Sequence, residues 1–502
     1  MTQTTTTTVT TVTTAPASTD RAELAAAVKE VAGLVQEWVD LRRRMLRVPG
    51  VQVAVRVDGE LLISGASGSA DLAEGVDLTP RHLFRIASHS KTFAATAVMM
   101  LAARGALRLD DTVGTHLPEL ADTPLADRTV RELIGHQGGV IRDGDDCDYW
   151  QLTRDFPDSD TLFADLHRDG ATFGRNEHFK YSNYGYSIVG AIIERVGGQD
   201  FAGFVRSEIL DVLELPRVHP DVDGVPADEL ASGHSLLLDG DDEMFVLRNP
   251  STGAMAAATG FVACAEDLTA YAGAHVKGDE RLLSDTDKRL MQRTESVVMA
   301  GTTELGRYGL GLELHTVGTR ALVGHSGGFP GFVTRTFVDP QASLVVSVLT
   351  NASRGPAHPI ALGVIKLIDL ALAKRALPPP AAPEDATDPV DLDSFVTTMV
   401  GGFGRVVIAR MGERLVLLHP EQDDPTEEVV ELTVLGPDRL LMPARPGFGS
   451  AGEPVIFTRE GGRITEIRMG GMTAWPEADF RARRRAQMGR SATTGAGTGP
   501  AS

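Results

Sequence analysis

The sequence predicts an α+β fold, an antiparallel sheet flanked by helices with an all-helical subdomain, followed by a small all-β barrel. Three observations carry that expectation. Strand-like hairpins stand near both ends of the first 375 residues with helical patterns between them, a proline-rich stretch follows, and only short strands recur beyond it. A chain of 502 residues is also too long for one ordinary domain.

Residues 1–19 are Thr-rich and lack apolar anchors, so they are expected to be a disordered tail. Asp20 and Glu23 read as a capping box. Leu24, Val28, Val31, Val35 and Trp38 then recur at helical spacing as far as about Arg44. Val51, Val53, Val55 and Val57 alternate with Gln52, Ala54 and Arg56, and Asp58-Gly59 turns the chain into Leu61, Leu62 and Ile63. A second hairpin pairs Phe332 to Val338 with Leu344 to Leu349 about Asp339-Pro340. Helical patterns fill 90–105, 184–196, 201–213, 265–275 and 283–293, so residues 20–375 form one domain. Five prolines between Ala376 and Pro389 mark 376–389 as a linker. Arg405 to Ile408, Arg414 to Leu418, Val429 to Val434, Arg439 to Met442, Val455 to Thr458 and Ile464 to Met469 read as strands of a barrel or sandwich within 390–480. The basic cluster Arg481, Arg483, Arg484 and Arg485 opens a tail, 481–502, that is expected to be frayed and disordered.

Composition narrows the function. A net charge of -20 repels phosphate backbones and anionic lipid, so nucleic acid and membrane are not expected partners. Cys147 and Cys264 alone cannot build a disulfide framework or a multi-thiolate metal site, and no His-Glu-x-x-His pattern occurs. No cofactor or metal is expected. The amino terminus lacks a basic region followed by an apolar run, and no apolar stretch reaches membrane-spanning length, so a cytoplasmic location is expected.

Three short motifs are candidates for chemistry. Ser88-His89-Ser90-Lys91 lies where a short strand, Leu83 to Ile86, meets a helical stretch, and residues three apart there share one helix face. A serine hydroxyl needs a base, and a lysine supplies one only if its pKa is lowered. Tyr181-Ser182-Asn183 precedes another helix. A phenol near an ammonium can be partly deprotonated and relay a proton, while an amide can both accept from the lysine and donate to a substrate. His325-Ser326-Gly327-Gly328 ends a strand, and its glycines permit close approach of a substrate to a strand edge, with the Gly328 N–H aimed at a carbonyl oxygen.

In this order and spacing the motifs resemble those of the serine β-lactamase and penicillin-binding-protein superfamily, in its class C-like branch of D-peptidases and esterases. The resemblance covers roughly residues 45 to 375. It implies a β-lactamase/transpeptidase-like fold in which Ser88 is acylated, Lys91 is its base and Tyr181 relays the proton. Asn183, His325, Ser326 and Gly327 would contact substrate, and the N–H groups of Ser88 and Gly328 would form the oxyanion hole. Arg131 to Gly139 looks like the segment that shapes the wall of the site, and the region after the linker is similar to a lipocalin-like appendage of some members. The implied partner is a small-molecule or peptide acyl substrate: a D-amino-acid peptide, a short ester, a β-lactam or a thioester. Where dedicated β-lactamases usually carry Lys-Thr-Gly this chain has His325-Ser326-Gly327, and a histidine is a weaker anchor for a carboxylate at neutral pH.

Two other strings compete. Gly324 to Gly328 fits the Gly-x-Ser-x-Gly nucleophile elbow with Ser326 as nucleophile, but Phe329-Pro330-Gly331 leads into a strand where an elbow needs a helix. Gly447 to Gly452 fits a dinucleotide fingerprint only as letters, since a strand follows it. A binding protein that kept the fold and lost turnover is the remaining alternative of a different class.

Overall fold

The computed structural model describes residues 20–380, 390–444 and 449–494. The expected tail 1–19, linker residues 381–389 and residues 495–502 lie outside these ranges. Helix α1 (Arg21–Met45) is capped by the Asp20 carboxylate, which accepts from the Ala22 N–H at 2.9 Å. The expected capping box does not close, because Glu23 reaches across to Arg375 at 3.3 Å.

One nine-stranded antiparallel sheet forms the centre. Its strands are β1 (Gly50–Val57), β2 (Glu60–Asp71), β3 (Val76–Asp77), β4 (Ser296–Ala300), β5 (Thr303–Tyr308), β6 (Glu313–Val317), β7 (Arg320–Phe329), β8 (Phe332–Asp339) and β9 (Leu344–Thr350). They lie side by side in the order β3-β2-β1-β9-β8-β7-β6-β5-β4. The expected hairpins from both ends of the domain thus meet at the sheet centre, with Val53 opposite Val348 and Val55 opposite Val346. The first hairpin turns through Asp58 and Gly59, both at positive φ, the conformation that a two-residue turn between twisted strands requires.

The valines of β1 pack with Leu24, Trp38, Ile360 and Val364 beneath α1 and a C-terminal helix. Gln52, which alternates with these valines, is buried on the other face. Its amide donates to the Thr79 and His82 carbonyls at 2.7 and 2.9 Å and accepts from Ala265 N–H at 3.0 Å. Helical layers therefore cover the sheet on both sides, the second consisting of α2 (Ser90–Ala103), α3 (Asn183–Gly197) and Ala265–Gly273.

The C-terminal helix, α4 (Ala357–Arg375), separates the sheet from the β-domain. That domain has eight strands, from β10 (Thr397–Gly401) to β17 (Met472–Ala474), each beside its neighbour in sequence. Val400 and Trp475 exchange two backbone hydrogen bonds, of 2.7 and 3.0 Å, which nearly close the sheet into a barrel around Phe395, Ile408, Leu417, Leu440 and Phe457.

Past residue 481 the expected frayed end is instead part of α5 (Glu477–Thr494). Glu477 bonds Arg481 one turn on at 2.9 Å and Arg405 of the barrel at 2.9 Å, and Arg483 stacks over Trp475, so the basic cluster has partners that hold a helix. No helix among the described residues is long and apolar enough to cross a membrane.

Candidate active site

The strand Phe84–Arg85 pairs with Val262–Ala263 and delivers the chain into a single 3-10 turn, Ala87–His89, that runs on into α2. Ala87 sits at φ 48°, a left-handed conformation that costs a non-glycine residue about 1–2 kcal/mol. The Ser90 hydroxyl holds it there, donating to the Ala87 carbonyl at 2.6 Å and accepting from the Phe261 N–H at 3.1 Å. The turn leaves Ser88 half-exposed while His89, Ser90 and Lys91 are buried.

Lys91 is fully buried, and its Nζ donates to Ser88 Oγ at 3.2 Å, Asn183 Oδ1 at 2.7 Å and the Ala258 carbonyl at 2.8 Å. Burial brings its pKa down to about 7; Asp143 opposes that shift and Arg142 adds to it. A large fraction of Lys91 is therefore a free amine at neutral pH.

Ser182 caps α3, its hydroxyl accepting from the Gly185 N–H at 2.7 Å, and this places Tyr181 and Asn183 on either side of the helix start. The Tyr181 hydroxyl donates to Ser88 Oγ at 2.8 Å. Burial raises its pKa well above that of a free phenol, so at neutral pH Tyr181 is a donor, not the partly ionised group that proximity to an ammonium suggests. Asn183 is fixed by donating to Asp143 at 2.6 Å, which leaves its carbonyl oxygen for Lys91. The wall segment also lies here. The His136 ring packs 4.4 Å from that of Tyr181, and Gln137 donates to the Glu295 carbonyl at 3.1 Å.

The third motif lies on β7. Strand β6 pairs with β7 only as far as Gly324, so the edge from His325 to Phe329 lacks a strand partner on that side among the described residues. The Ser326 N–H points to this side, bonding Glu313 Oε1 at 3.2 Å, and N–H directions alternate along a strand, so the Gly328 N–H faces the same side. A Cβ on Gly327 would run into the Ile86 carbonyl just before the Ser88 turn, whereas one on Gly328 would meet open space. Glycine at 327 thus lets the nucleophile turn approach the edge.

His325 is 1% exposed, its Nε2 within 2.9 Å of the Tyr308 hydroxyl and its Nδ1 within 2.6 Å of the Ser326 carbonyl. Burial lowers its pKa to about 4, so it is neutral, and among the described residues no hydrogen bond joins it to Ser88, Lys91 or Tyr181. The structure brings Ser88, Lys91, Tyr181 and Asn183 into one hydrogen-bonded network, with Gly327 and Gly328 on the adjoining edge. His325 and Ser326 belong to a separate set with Tyr308 and Glu313. Motif reading missed Asp143, the Ala258 carbonyl and Glu313, which reach the site through the fold and not through local spacing. Ser326 gives its hydroxyl to Glu313 at 2.7 Å inside a strand-to-strand hairpin, which is not an elbow nucleophile's setting.

The Beta-lactamase family model matches residues 31–369, and the chain belongs to that family. Penicillin-binding protein 4 of Amycolatopsis lactamdurans is 34% identical over 191 residues, 36% of this chain and 47% of the relative. Esterase EstB of Burkholderia gladioli is 32% identical over 212 residues, covering 39% of this chain and 52% of the esterase. The chain thus spans about half the length of these curated relatives. D-amino acid amidase of Ochrobactrum anthropi SV3, solved with L-phenylalanine amide, superposes with a TM-score of 0.57 at 25% identity, over 70% of this chain and 99% of the amidase.

Proposed function

We propose that this protein hydrolyses amide or ester bonds of D-amino-acid amides and peptides, or of short-acyl esters, through an acyl-enzyme on Ser88. One observation carries the reading: an amine near its free-base form and a protonated phenol both bond the same half-exposed serine oxygen, at 3.2 and 2.8 Å. Lys91 takes the Ser88 proton as Oγ attacks the substrate carbonyl carbon. The oxyanion is held by the N–H groups of Ser88 and Gly328 beside the start of α2. As the tetrahedral centre collapses, Tyr181 protonates the leaving group and is reprotonated from Lys91, and a water then releases the acyl group as the free acid. Amidase and esterase relatives support both leaving groups.

Ser88→Ala tests the assignment with D-phenylalanine amide and p-nitrophenyl acetate as substrates. Loss of turnover by about a thousandfold or more on each substrate that the wild type cleaves is expected. Near-full activity in the variant would refute it.

A further inference from the structure

Resting on that reading of Ser88, the structure also says which acyl substrates the open strand edge accepts. The partnerless stretch of β7 begins where β6 stops, at Glu313, and the Glu313 side chain reaches along that edge to the N–H and hydroxyl of Ser326 at 3.2 and 2.7 Å. A carboxylate of the protein therefore occupies the edge two residues from the Gly328 N–H. The groups that face it are Arg335, directly across the strand pair from Ser326, His315 at 3.1 Å and His325 at 3.6 Å. Arg335 lies behind the carboxylate: its side chain is 2% exposed against 21% for Glu313. His325 has both ring nitrogens engaged, and the Ser326 hydroxyl proton is committed to Glu313. A substrate extended along this edge thus meets an acid as the outermost charge of this cluster, since the Nε and Nη2 of Arg335, which lack partners among the described residues, are buried behind it.

We propose that Glu313 is a specificity-determining residue that excludes substrates with a free carboxylate beside the scissile bond and so selects amides, esters and internal peptide bonds. Like charges brought together at a partly desolvated site disfavour binding by roughly tenfold or more.

The test uses the full-length protein and two peptides that differ only in that charge, N-acetyl-D-alanyl-D-alanine and its C-terminal methylamide. Each competes against p-nitrophenyl acetate hydrolysis, so the readout is a ratio of inhibition constants whether or not the peptides are cleaved. The wild type is expected to bind the methylamide at least about tenfold more tightly. Raising salt from low ionic strength should narrow that ratio, and Glu313→Gln should bring the two peptides to within about twofold. Equal binding by the wild type, tighter binding of the free acid, or no inhibition by either peptide would overturn the inference. So would a ratio unchanged in Glu313→Gln, and the salt series on the wild type decides if that variant does not fold. Failure of the underlying reading looks different, because Ser88→Ala would then still hydrolyse the ester.

Discussion

Lys91 concentrates the chemistry of the site in one amine. Complete burial brings its pKa down to about 7, and only its neutral form, which keeps two N–H groups and a lone pair, can accept the Ser88 proton. The rate of acylation should therefore rise with pH through an inflection near 7 and level off above it, read as kcat/KM for a neutral ester between pH 5 and 9. A profile flat across that range would remove Lys91 from the role of base. Ser88, Lys91, Tyr181 and Asn183 were legible in the sequence because each motif is local, with spacing that a single helix start converts into a shared direction. The state of the groups was not legible. Tyr181 is protonated because burial outweighs its neighbours, His325 is neutral for the same reason, and Glu313 enters the site only through the register of β6 on β7.

The β1 hairpin, α2 and α3 were legible as elements, and the structure places them within two residues of expectation, while it buries β1 on both faces and α2 on nearly every side. Helix α4 was not legible; Ile360, Val364, Ile365, Leu367 and Ile368 are buried all round it, between sheet and barrel. Trp38 of α1 ties these layers together. Its ring lies against Gly363 of α4, where any Cβ would collide with the indole, and its Nε1 donates to the Pro420 carbonyl of the β-domain at 3.1 Å. Trp38→Ala should cost about 3–5 kcal/mol of stability, measured by urea denaturation. A loss below about 1 kcal/mol would mean that the barrel and the domain of the nine-stranded sheet do not share a core there.

Across the whole molecule, burial has left histidines neutral that an unfolded chain would protonate. His89 is lowered to about 3, and His275 and His325 to about 4, each chiefly by desolvation. Their ordinary value is about 6.5, so between pH 6.5 and 4 the unfolded chain binds more protons than the native state. Stability is then full above about 6.5 and lost as pH falls, by up to roughly 4 kcal/mol per unit for three protons. The thermal midpoint should drop steeply between pH 6.5 and 4.5, and a flat midpoint there would contradict the burial. Barrel and sheet composition foretold the two-part architecture, but the docking of the β-domain on α1 and α4 depends on long-range contacts that no local pattern encodes.

If the hydroxyl of Ser88 is the activated nucleophile, incubating the protein with a fluorophosphonate should modify it, as read by intact mass and mapping of the modified peptide. A single adduct on Ser88 is expected, absent from Ser88→Ala and slowed in Lys91→Met. An adduct on Ser326, or labelling that survives Ser88→Ala, would contradict it.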